Sequence, residues 1–68
     1  MQVTAVLNPA EEGGFVALNP ETGTVSQGDT IEEAIANLRE AVELYLDEFP
    51  MTFYGAAVIT SFDEAVHA

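Results

Sequence analysis

Cysteine is absent from the 68-residue chain, so neither a disulfide framework nor a thiolate metal site can supply stability. Lysine is absent as well, and Arg39 stands alone against 12 acidic residues, for a formal net charge of −11. Such a field repels phosphate and offers almost nothing to neutralise it, which argues against direct binding of nucleic acid and favours attraction of a basic protein. No apolar run approaches the ~18 residues of a membrane span. The opening MQVTAVLNPAEEGG has no basic region followed by a long apolar one, so the expectation is a cytoplasmic protein with no membrane partner.

The one histidine, His67, is the penultimate residue. With no Cys, no Lys and that single terminal imidazole, no nucleophile and base can be paired. There is no H-x-x-x-H and no calcium-loop spacing of acids either, so no catalytic residue, metal site or cofactor is expected, and the chain is read as a non-enzyme. Adjacent acids occur at Glu11-Glu12, Glu32-Glu33, Asp47-Glu48 and Asp63-Glu64. Neighbouring side chains on a helix or strand point in different directions, so these pairs read as solvated faces rather than acid/base couples.

What is present is a folded composition, 49% hydrophobic against 19% charged. A chain this short buries only roughly 60% of its unfolded surface, so residues 1–68 form a single domain with a thin core that gains from oligomerisation or a partner. Residues 2–7 and 15–18 read as strands around the turn chemistry of Asn8-Pro9 and Glu11-Glu12-Gly13-Gly14. Asn19-Pro20-Glu21-Thr22-Gly23 is a second turn, leading into a third, edge strand over residues 24–27.

Thr30-Ile31-Glu32-Glu33 is a capping box that starts a helix. Its apolar positions, among them Ala34, Ile35, Leu38, Val42 and Leu46, recur at the spacing of one face, and Pro50 stops it near Glu48 or Phe49. After a connection over 50–57, residues 58–66 read as a final strand diluted by Asp63 and Glu64. The fold class is α+β, in the order β-β-β-α-β. A right-handed crossover would place the last strand beside the first, in a small, mainly antiparallel sheet of order 3-2-1-4. One helix covers one face of that sheet, and the other face needs a partner or a polar surface.

Residues 13–50 resemble the HicB family of antitoxins from type II toxin–antitoxin systems. The resemblance is carried by Gly13-Gly14-Phe15-Val16-Ala17, by Pro20-Glu21 and Gly23 of the turn, by Ser26-Gln27-Gly28-Asp29-Thr30, and by Glu32, Glu33, Ala34, Asn37, Leu38, Glu40 and Ala41 of the helix. It implies a partly degraded ribonuclease-H-like fold that neutralises a small basic toxin of the HicA type, an mRNA-cleaving protein, by covering its RNA-binding surface. Residues 2–7 hold no acid where the ancestral nuclease would place its first metal ligand. Family members typically continue into a DNA-binding domain, and the chain is expected to be a short form without it.

The residues expected at the partner interface are Glu11 and Glu12 with Asn19 and Glu21 beside them. Phe49, Phe53 and Tyr54 form an aromatic cluster expected at a contact between copies of a homo-oligomer. The alternative function is a stand-alone homo-oligomeric domain with a regulatory or small-ligand-binding role and no toxin partner.

Overall fold

The computed structural model describes residues 2–52 and 54–66. Three antiparallel strands, β1 (Val6–Pro9), β2 (Phe15–Asn19) and β3 (Thr24–Gly28), are followed by one helix, α1 (Ile31–Glu48). The sheet order is β1-β2-β3.

The first hairpin is closed by Ala10 N–H donating to Gly14 O at 3.0 Å and Gly13 N–H to Ala10 O at 3.1 Å. Gly13 and Gly14 both take positive φ, 102° and 74°, which a residue with a Cβ adopts only under strain. That turn sets the register Val6↔Leu18, Leu7↔Ala17, Asn8↔Val16 and Pro9↔Phe15. The first strand therefore lies later than residues 2–7. Pro9, which has no N–H to give a ladder, is tolerated at the end of an edge strand. Residues 2–5 leave the ladder because the side chains of Asn19, at the end of β2, and Glu21, in the turn after it, engage the backbone of Thr4 instead.

The core is a seam between α1 and the sheet. Ala17, Ala34, Leu38 and Val42 are buried, with Leu7, Phe15 and Leu46 packed around them. Ala34, Leu38 and Val42 are spaced by four residues, so they form one row down the helix. The row sits close to the backbone of β3 because Gly28 has no side chain: a Cβ there would lie 2.5 Å from Ala34 N. Thr30 caps the helix, its Oγ1 accepting from Glu33 N–H at 3.1 Å, and Asn37 Nδ2 donates to Gln27 O of β3 at 2.7 Å. The helix ends where Phe49 N–H donates to Tyr45 O, one residue before Pro50.

The final strand is a correction. The described residues of 58–66 carry no regular secondary structure and lie exposed, so β1 has no fourth strand beside it among the described residues. Glu64 interrupts the apolar side that Val58, Phe62 and Val66 would form there.

Gly28→Ala is expected to destabilise the fold by about 1–3 kcal/mol, because the added methyl meets backbone rather than a movable side chain. Thr30→Ala should cost about 1 kcal/mol through the lost cap. Urea unfolding followed by circular dichroism measures both, and an undiminished midpoint for Gly28→Ala would show that the seam has slack.

Candidate protein-binding faces

The four residues expected at one interface are divided by β2. Glu11 and Glu12 lie in the β1–β2 turn, by Phe15, whereas Asn19 and Glu21 lie at the other end of the strand, roughly 13 Å away at the rise of an extended chain. The Asn19 side chain is fully buried and cannot face a partner. Its Nδ2 donates to Thr4 O and to Glu21 Oε1, both at 2.8 Å, and its Oδ1 accepts from Thr22 N–H at 2.9 Å and Thr22 Oγ1 at 2.6 Å. Every hydrogen-bonding position of that amide is used, which is how a buried polar side chain avoids a desolvation penalty.

Glu21 completes the cluster. Its carboxylate accepts from Thr4 N–H at 2.9 Å and from Thr4 Oγ1 at 2.7 Å, tying the chain before β1 to the β2–β3 turn. The Thr4 hydroxyl first, and then the Thr4 amide, hold the Glu21 carboxyl below its ordinary value of 4.5. Asn19 and Glu21 are thus a structural clasp.

Glu11 and Glu12 are exposed and line an open groove with Phe15, Gln27, Asp29 and Glu33. Four carboxylates from the first hairpin turn, the end of β3 and the first turn of α1 converge on this end of the molecule. They make it a strongly acidic surface suited to cationic side chains.

A second surface was not among the expected site residues. Cross-strand partners share a face, and the register places Val6, Leu18 and Val25 in one row across the side of the sheet that α1 does not cover. Leu18 is 36% exposed and Val25 59%. Val16 stands in the next row, between Asn8 and Gln27. The signal was in the sequence: Phe15, Val16, Ala17 and Leu18 are all apolar, without the alternation of a strand that faces water on one side.

Of the aromatic cluster, Phe49 is exposed but packs its ring against Tyr45, with centroids 5.1 Å apart, and Tyr54 is almost wholly exposed. Phe53 lies outside the described residues. Among the described residues no group of three His, Asp or Glu side chains could hold a metal ion, and no helix is long and apolar enough to cross a membrane.

The clasp makes a pH prediction. A carboxyl whose folded value is lowered stabilises the fold above its ordinary value, and that contribution fades as pH falls through the lowered one. The segment before β1 should therefore loosen as pH drops below 4.5, seen as lost hydrogen-exchange protection at the Thr4 amide, and Glu21→Gln should flatten that dependence. Equal pH profiles for the two proteins would count against the clasp.

No family model matches the chain, and no solved structure matches it. Three curated proteins do. A UPF0150 protein of Synechocystis sp. is 44% identical over 48 residues, covering 69% of this chain and 67% of the relative. A UPF0150 protein of Helicobacter pylori is 44% identical over 48 residues, covering 71% and 67%. For a second Synechocystis protein the identity is 49% over 45 residues, and the match spans only 57% of that relative. With nearly half the aligned positions shared across two thirds of its relatives' length, the chain belongs to the UPF0150 family.

Proposed function

We propose that this domain is an antitoxin-like binder that neutralises a small basic, RNA-cleaving protein of the HicA type by covering its RNA-binding surface. The observation that carries the reading is the uncovered row Val6–Leu18–Val25 on a chain with a net charge of −11. An apolar row on an open sheet face supplies area that association removes from water, at about 25 cal/mol per Å². The acidic field around it speeds encounter with a cationic partner and disfavours nucleic acid and acidic proteins. A toxin that binds RNA must present cationic side chains to phosphate, and the same side chains would meet Glu11, Glu12, Asp29 and Glu33 here. The domain then blocks the toxin by occupying the place of the RNA backbone.

The resemblance of residues 13–50 to HicB, which implies a degraded ribonuclease-H-like architecture, points to the same partner class. Inhibition by occlusion requires no nucleophile, base or metal from the inhibitor.

Co-expression with a small basic protein encoded beside it tests the reading: the two should co-purify, and growth arrest by that protein alone should be relieved. Leu18→Lys should weaken the complex by about tenfold or more, by placing a buried like charge against a cationic partner, while leaving the circular dichroism spectrum unchanged. A Glu11→Gln/Glu12→Gln double variant should chiefly slow association and reduce its salt dependence. Tight binding of RNA or DNA by this chain, with no basic protein retained, would overturn the proposal.

A further inference from the structure

α1 packs on β3 and β2 and hardly touches β1. On the β1 side this leaves a groove of about 550 Å³ between the helix and the segment that precedes β1. Val3 and Ala5 line one wall and Ile35, Val42 and Leu46 the other, with Arg39 beside them. The backbone edge of β1 that faces away from β2 is unpaired among the described residues.

The chain also carries an unpartnered segment of matching chemistry. Side chains at 58, 60, 62, 64 and 66 of an extended segment share one side, which puts Val58, Phe62 and Val66 together. They are 92%, 83% and 90% exposed, although the helix that leads into this segment ends beside the groove at Leu46. The segment turns away from its own copy: the radius of gyration is 13.8 Å, against about 11 Å for a compact chain of this length. Charge supplies the second match. Arg39 is the only Lys or Arg in the protein and lines the groove together with Glu43, and Glu64 lies on the same side of the extended segment as Phe62 and Val66.

We propose that residues 58–66 of one copy lie in this groove of a second copy, adding a strand to the free edge of its β1 and setting Glu64 against its Arg39. The exchange is reciprocal, so the contact closes as a two-fold dimer and leaves neither copy's β1 edge free. Backbone hydrogen bonds to β1 supply the register, and Val58 and Phe62 fill the apolar wall of Ile35, Val42 and Leu46. Repulsion between two chains of −11 is limited by screening over about 8 Å at physiological salt, whereas the Arg39 contact acts at close range. The outer row Val6–Leu18–Val25 stays open, so the dimer and the complex proposed above use different faces.

Because the chain has no cysteine, single introduced thiols report the exchange directly. Copies carrying Ala5→Cys, mixed with copies carrying Thr60→Cys and oxidised, should yield a disulfide-linked heterodimer on a non-reducing gel. Light scattering on the unmodified chain should give twice its 7.3 kDa. Arg39→Glu should raise the dimer dissociation constant roughly tenfold with helicity unchanged. If instead the doubly substituted Ala5→Cys/Thr60→Cys chain closes a bond at monomer mass while the mixture of single variants does not cross-link, the segment fills its own groove and the proposal is wrong. A monomer with no cross-link of either kind, or a dimer indifferent to Arg39→Glu, would overturn it equally. None of these measurements involves the toxin, so they stand or fall apart from the function proposed above.

Discussion

The distance between α1 and β3 is the constraint on which the rest of this small fold depends. Four buried side chains, Ala17, Ala34, Leu38 and Val42, make a core of limited area, and two of them are alanines. Such a core works only if backbone approaches backbone, and it does so at Gly28, where a Cβ would collide with Ala34 N. Dispersion falls steeply with separation, so a helix held even an ångström further out would lose much of the contact that these short side chains provide. Thr30 and Asn37 act on the same seam, one fixing where the helix starts and the other anchoring it to the Gln27 carbonyl.

The opposite end of the sheet is held by polar chemistry. Asn19, buried at the end of β2, and Glu21, in the following turn, take up the backbone and hydroxyl of Thr4, so the segment before β1 is fastened by hydrogen bonds where apolar packing is scarce. This clasp draws residues 2–5 out of the ladder and shapes one wall of the groove against α1. It also separates roles that adjacent acids in the sequence suggest are shared. Glu21 works inside the fold, whereas Glu11 and Glu12 give their charge to solvent and to whatever binds there.

A fold with so little interior leaves apolar surface outside. The row Val6–Leu18–Val25 and the apolar side chains of residues 58–66 stand at the surface on different parts of one chain. Membership of the UPF0150 family establishes kinship without naming an activity. The proposal of a binding role rests on this exposed area together with a charge that would favour a cationic partner.

The helix was legible from sequence almost to the residue, because capping by Thr30, a four-residue apolar spacing and Pro50 are local signals that need nothing from the rest of the chain. The three strands and their turns were legible for the same reason, and so was the net charge of −11. Where the first strand begins, whether residues 58–66 pair with it, and which polar residues face outward were decided by tertiary contacts. Thr4 leaves the ladder because Glu21, 17 positions away, offers it better partners, and Asn19 is internal because it sits on the face of β2 beneath the helix. Periodicity reports which side of an element is apolar; only the packed structure decides which polar groups must be satisfied inside and which surfaces remain for another molecule.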